Sequence, residues 1–189
     1  MKKCLDFAKT YFDFIENGHN LKNPFKWLYG LIAVLNVLLP LFVLYGAITA
    51  GAFRMAFAWV LLFLLIWVII AALGVFGFVF WWDRKDKVAE YSTKEKDEFI
   101  MTPVIAHLIK TLGEWIGTYV GVFGALISLI VFIFGGANIL YAMGFGGFAG
   151  LGWIGIILFP IWGFLIIALS RFAAEQFRAL AAIANNTKK

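Results

Sequence analysis

Four long apolar blocks, separated by charged or glycine-rich stretches, set the pattern of this chain. They fall at 27–50, 55–82, within 102–134 and at 151–170. The hydrocarbon core of a bilayer is about 30 Å thick and takes roughly 20 apolar helical residues to cross. The pattern therefore predicts an all-α, polytopic membrane protein with four transmembrane helices in a single membrane domain. Two flanking elements accompany them, an N-terminal amphipathic helix and a cytoplasmic C-terminal helix.

The flanking helices follow from spacing. In residues 1–18, Cys4, Leu5, Ala8, Tyr11, Phe12 and Ile15 recur at helical intervals, while Lys2, Lys3, Lys9, Asp13 and Glu16 take most of the rest. Gly18 supplies a stop. Such a helix lies in the bilayer interface or packs on the cytoplasmic ends of its neighbours. Residues 19–24 read as a linker, with His19 solvated. Residues 83–100 interleave both signs of charge and read as a cytoplasmic loop. The connection over 135–150 carries no charge and many glycines, which suits a loop held at the interface. Residues 171–185 are rich in alanine, the best helix former. Arg171 and Glu175 stand four apart, Glu175 and Arg178 three apart, so local pairing supports a tail helix.

The third block is the most structured in sequence. Thr102 can cap and Pro103 suits the first helical position. Val104, Ile105, Leu108, Leu112, Trp115, Ile116 and Tyr119 form one face; His107, Lys110, Thr111, Glu114 and Thr118 form the other. Gly113, Gly117, Gly121 and Gly124 line one side, a helix-packing seam on which a partner helix can approach closely. A bend is expected near Gly113. Glu114 has two readings. In one it is a proton- or ion-responsive carboxylate in a vestibule, with His107, Lys110 and Thr118 beside it. In the plainer one it sits at headgroup level, pairs with Lys110 and fixes the depth of the helix.

In the first block, Pro40 cannot donate to the carbonyl of Asn36, so a kink is expected there. Asn36 itself is either interhelical glue or a substrate contact. Gly74 and Gly77 in the second block are small enough to admit a neighbour, and Trp81–Trp82 reads as an interfacial aromatic belt.

Composition narrows function mostly by exclusion. The chain has 189 residues, 63% of them hydrophobic, and a net charge of +5. Its one cysteine, Cys4, permits no intrachain disulfide, and neither histidine has metal-ligand spacing around it. No metal, cofactor or catalytic residue is expected: no nucleophile–base set, Walker loop or zinc motif is present. Acidic and basic residues interleave too evenly for a nucleic-acid footprint. Spans one, two and four hold no ionisable carboxylate, lysine or arginine in their interiors, which argues against a pump of the relay type. Every basic residue except Arg54 lies in the N-terminal segment, in 83–110 or in the tail. The positive-inside rule then puts both termini in the cytoplasm.

The segment Thr102–Pro103–Val104, Thr111 to Thr118, and the ending Arg171 to Leu180 with Ile183 to Thr187, resembles small uncharacterised membrane proteins of Bacteroides-type bacteria. The resemblance implies a bacterial inner-membrane location and brings no activity with it. The sequence thus predicts a non-enzymatic structural or accessory subunit. Its partners would be membrane lipids and either further copies, as a homo-oligomer, or other membrane subunits. The surfaces expected to act are the glycine seam and the tail around Arg171, Glu175 and Arg178. The alternative is a small channel or transporter with Glu114, His107, Asn36 and Asn138 along its path.

Overall fold

The structure is a computed structural model that describes residues 22–90, 101–135, 141 and 146–187. The described part is all-α. Helix α1 spans Lys22–Thr49, α2 Phe57–Glu90 and α3 Met101–Thr118. A π-helical turn, Tyr119–Phe123, joins α3 without a break to α4, Gly124–Phe134. A short helix α5, Gly146–Ala149, precedes α6, Gly155–Thr187. Four of the resulting stretches are long and apolar enough to cross a membrane: Pro24–Thr49, Phe57–Val88, Met101–Phe134 and Gly152–Thr187. The protein is a multi-pass membrane protein.

The spans agree with the hydrophobic pattern, but the helices run past the predicted ends. The expected linker at 19–24 is already helical from Lys22. The expected loop at 83–100 is helical as far as Glu90. The tail continues the fourth span in one unbroken helix, as its alanine-rich sequence leads one to expect. Helix ends are set by hydrogen bonding and not by hydropathy, and nothing in Asp83–Glu90 stops a helix. The expected amphipathic helix at 1–18, His19 and Asn138 lie outside the described residues.

Two hairpins build the bundle. The first pairs α1 with α2 through the turn at Gly51, whose φ of 75° is a left-handed conformation natural to glycine. The second pairs the third span with α6. Gly135, at φ 72°, ends α4. The hairpins meet along α2 and the third span in two layers. Toward the α1–α2 turn, Leu62, Ile66, Ile70 and Leu73 pack on Phe123, Ile127 and Ile130. At the other end, Tyr29, Ala33, Trp81, Val88 and Val104 form a second, more aromatic layer. Trp81 is fully enclosed there, edge-on to Tyr29 and Trp115. Only Trp82 of the expected belt faces outward.

The third span turns its polar face inward. His107, Thr111 and Glu114 are buried, whereas Ile105 and Ile116 face out. Lipid is the solvent, so the polar groups must find partners within the bundle. The expected bend at Gly113 is absent from that position, which is regular α-helix. The irregular turn comes six residues later, at Tyr119–Phe123.

Candidate functional site: a buried polar layer across four helices

Polar side chains from all four spans meet at one end of the bundle. They divide into an ion cluster, a hydroxyl–imidazole cluster and an amide node.

Glu114, 4% exposed, is the centre of the ion cluster. Its Oε1 accepts from Arg171 Nε at 2.6 Å, and its Oε2 faces Arg84 Nη1. Arg84 comes from α2 and Arg171 from α6, so one carboxylate ties three helices together. The pairing with Lys110 expected from sequence is not the one formed. Nor does Arg171 turn to Glu175 on its own helix. A buried carboxylate must be neutralised, and the nearest cations within the bundle are on other helices. Arg84 also lies over the Phe80 ring, 3.8 Å from its centroid. That contact gives its guanidinium a second support besides Glu114.

The second cluster adjoins the first. Tyr29 Oη lies 2.9 Å from His107 Nδ1. Thr111 Oγ1 stands 3.5 Å from His107 Nδ1, from Tyr29 Oη and from Arg84 Nη1. The chain of contacts thus runs from α1 through the third span to α2.

The amide node is at Asn36. Its Oδ1 accepts from Trp115 Nε1 at 3.0 Å and Tyr119 Oη at 2.8 Å, and its Nδ2 donates to the Ile32 carbonyl at 2.8 Å. The Tyr119 hydroxyl also stands 2.6 Å from the Leu73 carbonyl, so its one proton is shared between two acceptors. Gly77 leaves room for the Asn36 side chain: a Cβ there would come within 2.7 Å of Asn36 Cγ. Gly74 sits against the backbone oxygen of Asn36, the carbonyl released by Pro40. The two glycines of α2 are therefore the socket for the Asn36–Pro40 turn of α1. Trp67 Nε1 closes the next turn by donating to the Pro40 carbonyl at 2.8 Å.

Replacing Asn36 with alanine strips Trp115 Nε1 of its acceptor and leaves the Tyr119 hydroxyl to the Leu73 carbonyl alone. Hydrogen bonds between membrane helices contribute about 0.6 kcal/mol on average and up to about 1.7. An expected loss of about 1–2 kcal/mol would appear as a lower unfolding temperature in mild detergent. Trp115→Phe removes one donor and should cost about half as much. Equal unfolding temperatures for Asn36→Ala and the parent would sink this account of the amide node.

The glycine seam is filled from within the chain. Gly117 and Gly163 of α6 face each other's backbone; a Cβ on Gly117 would lie 2.5 Å from the Gly163 carbonyl oxygen. Gly121 also meets Gly163, Gly113 meets Ser170 and Gly124 meets the Phe159 ring. Ser128 then meets Gly155. The seam is a packing surface, as expected, but its partner is the fourth span and not a second molecule.

Of the residues singled out from sequence, the bundle brings Glu114, His107, Asn36 and Arg171 into one layer. Thr118 stays apart and donates to the Glu114 carbonyl at 2.7 Å. Arg178 is half-buried farther along α6, and Glu175 is exposed. The residues missed from sequence are Arg84, Tyr29, Trp115 and Gly163. Arg84 carried a usable signal: a lone carboxylate in a membrane helix calls for a cation, and Arg84 follows directly on an apolar span. Chemically, the layer is a network of paired groups, with Trp81 Nε1 left as a buried donor without a hydrogen-bond partner among the described residues. Among the described residues no three of His, Cys, Asp and Glu come together as a metal site. Comparison of the chain with protein families, with curated proteins and with solved structures finds no match.

Proposed function

We propose that this is a non-enzymatic structural or accessory subunit of a bacterial inner membrane. It acts by assembly with further copies of itself or with other membrane subunits. The observation that carries this reading is the outer face of α6 beyond Arg171. Helix α6 continues for 16 residues past that charge to Thr187, roughly 24 Å at the α-helical rise. Ala174 and Ala181 on this stretch are buried against the bundle. On the other side Phe172, Leu180 and Ile183 are 60–62% exposed. The apolar part of the fourth span ends at Ser170, so this row lies at or beyond the headgroups. Apolar side chains repeated along a helix there favour burial against a partner helix.

The polar layer supports the same reading over a pathway past Glu114. Its carboxylate is held between two guanidiniums and Asn36 is fully engaged, which suits a fixed framework. Arg84, Lys85, Lys87, Arg171 and Arg178 all lie toward one end of the bundle, which by the positive-inside rule is the cytoplasmic one. A reporter fused after Lys189 should then be active only in the cytoplasm.

The test is gentle extraction from native membranes followed by mass determination and identification of co-purifying subunits. Either a multiple of the chain mass or a stoichiometric second protein is expected. Leu180→Lys with Ile183→Lys should release that partner while leaving the unfolding temperature unchanged, because both side chains are exposed. A chain that travels alone, or an assembly indifferent to the two lysines, would overturn the proposal.

A further inference from the structure

A groove of about 600 Å³ runs down the outer surface between α1 and α2, at the end of the bundle that holds the polar layer. Leu31 and Val34 line its inner length, and Gly30 forms part of its floor. Its mouth is different. Trp27 and Trp82 flank it, and Lys26 and Lys85 stand at the rim. Trp27 is 78% exposed, which for an indole marks the interface between hydrocarbon and headgroups. Lys85 Nζ rests over the Trp82 ring, 3.5 Å from its centroid. It has no carboxylate partner among the described residues. Lys26 is paired with Asp86 at 2.7 Å, both side chains being well exposed. Counting Asp86, the rim keeps a net charge of one positive unit.

The geometry points to a binding site for one anionic glycerophospholipid, with an acyl chain in the groove and the phosphate at Lys85. Three features select this occupant over bulk lipid. The groove is concave and apolar from Trp27 to Val34, about two helical turns, which suits part of an acyl chain. Its volume falls within the roughly 300–1,000 Å³ of ordinary ligand pockets. Among the described residues its one unpaired charge, Lys85, sits at the headgroup level, where a lysine ammonium meets a phosphate. Gly30 matters because its missing side chain opens the floor: a Cβ there would approach the Lys85 stem at 3.9 Å. A larger side chain would fill the space between the two lysines.

The three rim charges make distinct contributions. A basic residue near an anionic surface contributes about fivefold in affinity. Lys85→Gln should therefore lose most of the preference for an anionic lipid. Lys26→Gln should lose less, since Asp86 already draws on that charge. Asp86→Asn should raise the preference, because it frees Lys26.

The experiment is native mass spectrometry of the full chain in detergent. Phosphatidylglycerol and phosphatidylcholine of identical acyl chains are added in competition. A severalfold excess of bound phosphatidylglycerol is expected for the parent chain. The excess should fall to about parity in Lys85→Gln and grow in Asp86→Asn. Gly30→Leu should lower retention of both lipids. Exposed substitutions at the rim should leave the unfolding temperature near that of the parent, and Asp86→Asn predicts a gain that misfolding does not produce. Equal retention of the two lipids by the parent, or a preference unchanged in Lys85→Gln, would overturn the site.

Discussion

Glu114→Gln is expected to be the most destabilising single polar substitution in this protein. The carboxylate is 4% exposed and lies between Arg84 and Arg171. Glutamine preserves shape and one acceptor oxygen but leaves two guanidiniums with no counter-charge. Breaking a buried pair by removing one partner costs about 3–5 kcal/mol. The Arg171 side chain is 56% exposed and can rehydrate, whereas that of Arg84 is only 21% exposed. The expected cost is therefore near the lower end, about 3 kcal/mol. The same asymmetry orders the other variants. Arg84→Gln should cost more than Arg171→Gln, because a half-exposed pair contributes about 1 kcal/mol or less. Arg84→Gln combined with Glu114→Gln should lie closer to the parent than Glu114→Gln alone, since it removes the charge that was stranded. Thermal unfolding of the four variants in one detergent reads all of this. A Glu114→Gln chain as stable as the parent, or a double variant worse than the sum of the singles, would refute the cluster as the lock of the bundle.

Gly163→Leu should separate the third and fourth spans. A Cβ on Gly163 would collide with the Gly117 carbonyl oxygen and approach the Gly121 Cα at 2.8 Å. Both obstacles are backbone, so no side-chain rotation relieves them. Overpacking a close contact costs about 1–3 kcal/mol, and Gly163→Ala should show a loss in that range. The leucine variant adds three more carbons at a point with no space and should not hold the hairpin. Gly46→Ala is the control. That position is helical with nothing within 4 Å of its added Cβ, and alanine there should be neutral or stabilising by up to about 1 kcal/mol. Gly117→Leu belongs with Gly163→Leu: the structure predicts loss of the monomer's own fold, not a change of particle size in a folded protein. A Gly163→Leu chain with the parent's unfolding temperature would show that the two helices do not cross here.

The contrast between the seam and its partner shows how far the residues alone could lead. Four glycines at intervals of four and three residues announce a close crossing whatever their partner is. The partner is harder to see, because Gly155, Gly163 and Ser170 of α6 stand eight and seven residues apart and form no compact motif. The spans themselves were legible, since uninterrupted apolar runs have few alternatives. Asn36 as glue was legible from the scarcity of amides in lipid, but Trp115 and Tyr119, its donors, sit on a face that hydropathy classes as apolar. Glu114 was legible as an outlier, but its partners are Arg84 and Arg171 and not Lys110. A polar stripe on a soluble helix faces water; on this span it faces inward, so the same pattern means the reverse. Arg84 was assigned to a loop because charge ends a hydropathy window, although it does not end a helix.

The ion cluster also bears on how the chain is inserted. One hairpin carries Arg84 and the other carries Glu114 and Arg171. Were the first hairpin to enter the bilayer upside down, Arg84 would be carried to the far leaflet, roughly 40 Å away over the length of α2. Glu114 would then be left with a single, half-hydrated cation, and the hairpins would have no closed layer to share. The arginines that tie the bundle together are thus placed so that only hairpins of matching orientation can close the cluster.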